Sequence, residues 1–323
     1  MPLDRSTVIA GPAIITFGTH VFYSKSDISV ACDWELAKVL SDMYGEIDAR
    51  LLDRKAVVTF TPVGQITSDI LAHLYPYLGA KIGDFIFTGT DATLEIWTVA
   101  GKKITFAAAA VTSMPPLKIS AGETPFGSVT FTCINKNNTA WSDSASFCVI
   151  TTASFTDPGS LASASVLQAS AALSWAASGA WSSFTTEDGV SVEFDMGLTQ
   201  KKCDAYGTYN YQISSLEVRA KCVPLGVTSG IAEAELISGP LFQNTGCVRG
   251  ASVAGLSTAH DLVITAGAVP LLLTATLTKA GMVSSGMKFG SSVLRNGEVG
   301  WIATRTLTGS TVNALASLAL TTA

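Results

Sequence analysis

Residues 22–64 and 184–226 align without a gap at an offset of 162. Ten of the 43 positions are identical: Phe22/Phe184, Ser29/Ser191, Val30/Val192, Asp33/Asp195, Leu36/Leu198, Asp42/Asp204, Tyr44/Tyr206, Gly45/Gly207, Pro62/Pro224 and Gly64/Gly226. Chance at common residue frequencies would give about three. A repeat of this length constrains the fold more than any local signal, because whatever unit one copy forms the other must form too. It divides the 323-residue chain into units at 1–150 and 173–323, each of ordinary domain size. Between them, at 151–172, Pro158-Gly159 leads into an Ala/Ser tract that reads as a linker.

An even offset preserves the face to which each strand residue points. In the first copy Ile28, Val30, Cys32, Trp34 and Leu36 share an apolar face, and Asp27, Ser29, Ala31, Asp33 and Glu35 the opposite one. In the second, Val190, Val192, Phe194, Met196 and Leu198 oppose Ser191, Glu193 and Asp195. Both copies thus put carboxylates on the wet side of the same strand. Next comes Asp42-Met-Tyr44-Gly45 or Asp204-Ala-Tyr206-Gly207, a turn with a permissive glycine. A polar stretch follows, Tyr44–Arg54 or Tyr206–Ser215, then a second alternating strand ending at Pro62-Val-Gly64 or Pro224-Leu-Gly226. The unit reads as two long strands joined by an extended loop.

The remainder is predominantly β, with short Val-, Ile-, Thr- and Phe-rich runs bounded by Gly, Pro, Asn and Asp. Strands are expected at Ala13–Phe17, Asp27–Val39, Lys55–Thr61, Phe85–Thr88, Thr93–Val99, Lys103–Ala108, Pro116–Ser120 and Gly127–Ile134. In the second half they fall near Ser182–Thr186, Val190–Leu198, Leu216–Val223, Leu262–Thr265, Pro270–Thr278 and Gly297–Thr304. Helical spacing is confined to Thr67–Leu78 and a short run at Ile231–Leu236.

Only 14% of residues are charged, against about 25% in an average soluble chain, while 48% are hydrophobic and mean hydropathy is +0.39. That excludes disorder and a coiled coil, and a net charge of −5 excludes binding of nucleic acid through a basic face. The most apolar stretches, Thr105–Val111 and Ala266–Leu273, fall short of the roughly 18–20 residues a spanning helix needs. No membrane association is expected, and the absence of a signal-like apolar run at Met1-Pro-Leu-Asp-Arg leads to an expectation of cytoplasmic assembly. Cys32, Cys133, Cys148, Cys203, Cys222 and Cys247 form no C-x-x-C pair and read as reduced thiols.

Motifs for catalysis are missing: there is no H-E-x-x-H, G-x-S-x-G, Walker A or G-x-G-x-x-G pattern. His20, His73 and His260 have no spacing that suggests joint metal ligation. Neither enzyme activity, cofactor nor metal is therefore expected, and the period-two placement of Asp33 and Glu35 is explained by a solvated strand face.

The first half resembles the tail tube, or major tail, proteins of long-tailed bacteriophages. The resemblance rests on Gly11-Pro-Ala-Ile14, on Asp42-Met-Tyr-Gly-Glu-Ile-Asp-Ala-Arg50 and on Thr59-Phe-Thr-Pro-Val-Gly64. It continues through Thr124-Pro-Phe-Gly-Ser-Val-Thr-Phe131 and Lys136-Asn-Asn-Thr-Ala-Trp-Ser142, and spans roughly residues 8–145. The second half resembles the family only through the duplication. The resemblance implies tandem β-sandwich/barrel domains, each with a flanking helix, three chains closing a pseudo-hexameric ring, and rings stacked into a hollow tube in the virion. It also implies contacts with tape measure, tip and terminator proteins, and genomic DNA passing through the lumen without specific binding.

On that expectation Asp27, Asp33, Glu35, Glu193, Asp195 and Glu217 face the lumen, partly offset by Lys55, Arg219 and Lys221, for a net of −3 per chain. Like charge opposes the counterion-release attraction that makes cationic surfaces bind DNA. Ring-stacking contacts are expected from Tyr44, Gly45, Glu46, Asp48, Arg50 and Asp53, and from Tyr206, Gly207, Tyr209 and Tyr211 in the less charged counterpart. The alternatives are an outer-membrane or secreted β protein, against which the lack of aromatic girdles counts, and a carbohydrate- or host-binding module, which Trp97, Trp141, Trp175, Trp181 and Trp301 do not obviously furnish.

Overall fold

The computed structural model describes residues 13–63, 66–120, 125–137, 140–141, 146–154, 171–175, 183–224, 260–268, 271–284, 287–289, 294–305, 307–308 and 311–321. The first half comprises β1 (Ala13–Phe17), β2 (His20–Tyr23), β3 (Ser29–Ser41), β4 (Gly45–Phe60), α1 (Ser68–Leu74), β5 (Ala92–Thr98), β6 (Lys102–Ser113), β7 (Leu117–Ile119), β8 (Val129–Cys133), β9 (Lys136–Asn137), β10 (Ala140–Trp141) and β11 (Cys148–Thr152). The second comprises β12 (Ala171–Ser174), β13 (Phe184–Cys203), β14 (Gly207–Pro224), β15 (His260–Ala268), β16 (Leu271–Ser284), β17 (Met287–Phe289), β18 (Leu294–Asn296), β19 (Val299–Ile302), β20 (Leu307–Thr308), β21 (Thr311–Val312) and β22 (Ala316–Thr321).

The strands make two large antiparallel sheets, β2-β1-β5-β6-β8-β4-β3 with β11 also on β6, and β12-β15-β16-β19-β14-β13-β7 with β22 also on β16. Matching β1 with β12, β5 with β15, β6 with β16, β8 with β19, β4 with β14 and β3 with β13 makes six successive strands of the two orders the same, with β2 and β7 added at opposite ends. Strand β6 pairs with β11 over residues 102–106 and with β8 over 109–113. Its counterpart β16 pairs with β22 over 272–277 and with β19 over 281–284. A strand that serves two partners in succession turns the corner between two packed layers, so each half is a mainly β, sandwich-like domain.

Pairing register carries the duplication beyond sequence identity. Every β3–β4 pair, from Ser29↔Thr59 to Ser41↔Gly45, maps at the same offset of 162 onto a β13–β14 pair, from Ser191↔Lys221 to Cys203↔Gly207. The irregularities coincide as well: the unpaired Leu52 and Ile47 of β4 correspond to Ser214 and Tyr209 of β14. Such bulges bend a ribbon and increase its twist.

These ladders correct one expectation. The polar stretches Tyr44–Arg54 and Tyr206–Ser215 are not extended loops; they continue β4 and β14 down to three-residue turns at Asp42–Tyr44 and Asp204–Tyr206. Polar alternation is compatible with a paired ribbon whose faces meet water, and Gly45 (φ +73°) and Gly207 (φ +68°) supply the left-handed conformation at the turn.

Phe85–Thr88 is another correction: only Phe85 makes a bridge, to Gln212, and the following residues turn. Helix α1 is shorter than Thr67–Leu78, because Pro76 disfavours helical geometry at Tyr75. Thr67 caps it, its hydroxyl accepting from the Ile70 N–H at 3.1 Å. Most of the linker (residues 155–170), the helix at Ile231–Leu236 and Cys247 lie outside the described residues.

Each half has an aromatic centre. Phe131 meets Phe17 at 4.9 Å and stacks on Phe60 at 5.9 Å, whereas Trp301 meets Trp175 and Phe184 at 6.2 Å each. The halves also interlock. Strand β7 leaves its own sheet to pair Leu117, Lys118 and Ile119 with Val192, Ser191 and Val190 of β13. Residues 83–87 run along β14, with backbone bonds Gly83 N–H to Ile213 O at 2.8 Å, Ile213 N–H to Asp84 O at 2.9 Å and Ile86 N–H to Tyr211 O at 3.0 Å.

Candidate functional site

The two hairpins share one register and sit in opposite surroundings. On β13, Val190, Val192 and Phe194 are buried, with the Tyr75 ring 4.7 Å from Phe194 and β7 along the strand edge. Of the matching residues in the first copy Ile28 is half-buried while Val30 and Cys32 are exposed, and the next apolar residues on that face, Trp34 and Leu36, are exposed by 60% and 49%. Among the described residues β3 pairs with β4 alone, which leaves its outer edge open. Cys32, Trp34, Leu36 and Leu51 continue into an apolar groove closed by Phe147 and Cys148. Exposed apolar residues contiguous along an open strand edge are characteristic of interaction surfaces, and a long uncovered edge is otherwise an aggregation hazard.

On the opposite face the acids stand as the alternation requires. Asp33 and Lys55 are directly paired across the ladder, with Nζ 3.5 Å from Oδ2; Lys221 approaches Glu193 at 3.3 Å; Arg219 bonds Glu217; and Asp195 lies opposite Glu217. Asp27 is exposed just before β3. The exposed pairs contribute little to stability, about 0–1 kcal/mol each. The structure adds Lys118, Lys202 and Asp53 to these ladders, so seven carboxylates now meet five cations and the acidic surplus falls from three charges to two.

Lys202 and Asp53 meet in a junction between the two hairpins, so Asp53, expected at a ring-stacking contact, is engaged within the chain. The turn of the second hairpin packs on the shaft of the first. There the buried Asp53 carboxylate accepts from the Thr208 N–H at 3.0 Å, from the Thr208 hydroxyl and from Gln200 Nε2 at 3.4 Å. Lys202 bonds Glu35 and stands 3.8 Å from Asp53; the hydrogen bond to Glu35 holds its ammonium above its usual range. A Cβ on Gly207 would meet Asp53 Oδ1 at 2.6 Å and Leu52 O at 2.9 Å, whereas one on Gly45 would meet nothing within 4 Å.

The expected stacking residues therefore divide. Tyr44 is 76% exposed at the first tip beside Met43, Glu46 pairs with Lys38 at 2.7 Å, and Asp48 and Arg50 are exposed. Gly207, Tyr209 and Tyr211 are engaged within the chain instead: Tyr209 meets Trp141 at 5.9 Å and Tyr211 meets Phe87 at 6.3 Å. Burial, with the nearby Asp53 and Asp33 charges, pushes the Tyr211 hydroxyl up to about 12, so it stays neutral. Tyr206 remains 38% exposed. Divergence between copies was the available signal, since Asp53 becomes Ser215, Lys38 becomes Gln200 and Glu46 becomes Thr208.

Replacing Asp53 by Ala is expected to destabilise the chain by about 2–4 kcal/mol, since it leaves the buried Thr208 donors unpaired. Asp53→Asn, which keeps one acceptor oxygen, should cost less. Urea titration of both variants checks the order, and an Ala variant of wild-type stability would mean that water replaces the carboxylate.

No family model and no curated protein matches the chain.

Proposed function

We propose that the chain is a non-enzymatic subunit of a phage tail tube, in which three two-domain copies close a pseudo-hexameric ring and rings stack into a conduit for DNA. One observation carries this reading: the first half covers the apolar face and edge of the second hairpin, while the same face and edge of the first hairpin stand bare. Applied between chains, the contact already present within one chain gives the bare face an occupant, the second half of another copy. Such a head-to-tail contact is heterologous, and it produces a ring when its rotation closes.

In such a ring the β3–β4 and β13–β14 ribbons line the lumen with their acidic faces inward, and the exposed Met43–Tyr44 tip meets the next ring. Tape measure, tip and terminator proteins are the partners this role requires. Negative-stain microscopy of the purified chain tests the reading. Rings of three-fold symmetry or hollow tubes are expected, and a chain that stays monomeric at high concentration, with no assembly on addition of tail-tip complexes, overturns it.

The lumen assignment has its own test. Changing Asp33, Glu193 and Asp195 together to Lys should leave tubes intact and slow DNA ejection, because the wall then attracts the phosphate backbone by counterion release. Glu35 is excluded from this set because it holds Lys202. Ejection at the wild-type rate would mean that this face lines no DNA path.

A further inference from the structure

Two histidines far apart in sequence meet above the first sheet. His20 opens β2, while Asp69 and His73 lie one turn apart on α1 and so share a face. His20 Nδ1 bonds Asp69 Oδ2, and His73 Nδ1 stands 3.3 Å from Asp69 Oδ1 and 2.8 Å from the Asp69 carbonyl oxygen. The two imidazoles stack with centroids 5.3 Å apart and an interplanar angle of 26°. The edge of Phe22 closes on His20 at 4.6 Å and that of Phe17 on His73 at 5.9 Å. His20 Nε2 is buried with no hydrogen-bond partner among the described residues.

We propose that His20, Asp69 and His73 form a binding site for one divalent transition-metal ion of the Zn²⁺ type, which staples α1 to the β1–β2 hairpin. One ligand atom from each residue lies within 4.8 Å of the other two. In a tetrahedral zinc site with bonds of 2.0–2.1 Å, ligand atoms stand about 3.4 Å apart. The difference is within reach of side-chain rotation, since Asp69 is 60% and His73 26% exposed. Two imidazoles and a carboxylate, with a fourth position open to water, form a donor set that favours zinc, nickel or copper over magnesium or calcium.

The site has a structural consequence. Helix α1 runs directly into Tyr75, whose ring covers Phe194 of the second half. A metal that fixes α1 against β2 therefore also fixes the cover of the second hairpin. Metal that binds the folded chain but not the unfolded one adds stability as RT ln(1 + c/Kd), where c is the free metal concentration.

The test uses the full chain, freed of metal with a chelator and dialysed into a non-coordinating buffer. Titration with Zn²⁺ by calorimetry is expected to show one saturable equivalent, with a rise in unfolding temperature. Co²⁺ in its place should give the visible d–d bands of a four-coordinate N/O site. Asp69→Asn and His73→Gln are both accessible enough to fold, which circular dichroism in chelator verifies, and if one fails the other carries the comparison. Each should weaken Zn²⁺ by at least the 10–100-fold typical of losing an outer-layer partner. Absence of saturable binding overturns the proposal. So does affinity undiminished in the folded variants, or a thiolate-to-cobalt charge-transfer band, which would place the ion on a cysteine instead.

Discussion

A chain carrying Trp34→Glu and Leu36→Glu is expected to fold with wild-type stability and to form no rings or tubes. Trp34 is 60% and Leu36 49% exposed in the isolated chain, so replacing them removes only a minor part of the folded-state burial, and surface changes of this kind usually fall within about ±0.5 kcal/mol. Assembly is another matter. A tryptophan and a leucine buried at an interface remove on the order of 200–300 Å² of apolar surface from water, worth about 5–7 kcal/mol at roughly 25 cal/mol per Å². Placing two carboxylates in that contact adds their desolvation. Since 1.4 kcal/mol is tenfold in an equilibrium constant, loss of even about 4 kcal/mol raises the concentration needed for each contact by about three orders of magnitude. The control is the corresponding pair on the second hairpin, Met196 and Leu198, which pack partly against the core of the same chain. Glutamates there should lower the unfolding temperature of the monomer. Analytical ultracentrifugation and thermal unfolding separate the two effects, and tubes formed normally by the Trp34/Leu36 variant would remove β3 from the interface.

How much of this was legible in the sequence follows from where the physics is local. Alternation of Val30, Cys32, Trp34 and Leu36 against Ser29, Asp33 and Glu35 gave the faces of β3 correctly, because side-chain direction in a strand depends only on parity. Repetition at an even offset then gave β13 as its double. Parity gives no information on what covers a face. Trp34 and Met196 look equivalent in sequence, yet Trp34 is bare and Met196 is half-buried, because β7 and Tyr75 reach the second hairpin only. The arms of the hairpins look like loops in the sequence because bulges at Ile47 and Leu52 shift the phase of a polar run twice, and a two-residue period with two slips no longer reads as a strand. His20 and His73 look unrelated in the sequence for a similar reason: their meeting depends on how α1 lies across the β1–β2 hairpin, which no spacing encodes.

The largest loss of stability from a single substitution is expected at Gly189, where the first half closes on the second. This residue sits at the start of the β7–β13 pairing, at φ +83°, and a Cβ there would lie 2.1 Å from the Ile119 carbonyl oxygen and 2.6 Å from the Ser120 Cβ. Backbone cannot yield as a side-chain tip can, so Gly189→Val must either push β7 off β13 or distort the strand. A left-handed conformation costs a β-branched residue at least about 1–2 kcal/mol, and overpacking adds typically 1–3 kcal/mol. A total of about 3–4 kcal/mol corresponds to a drop in unfolding temperature on the order of 10 °C for a domain of this size. Gly45→Val separates strain from collision, because Gly45 has a similar φ of +73° with open space where its Cβ would lie. Its cost should be the conformational part alone. Equal losses at the two positions would mean that the approach of β7 is looser than it stands here. A much larger loss at Gly189, accompanied by faster hydrogen exchange at Val190 and Val192, is the result expected if strand exchange between the halves holds the second hairpin covered.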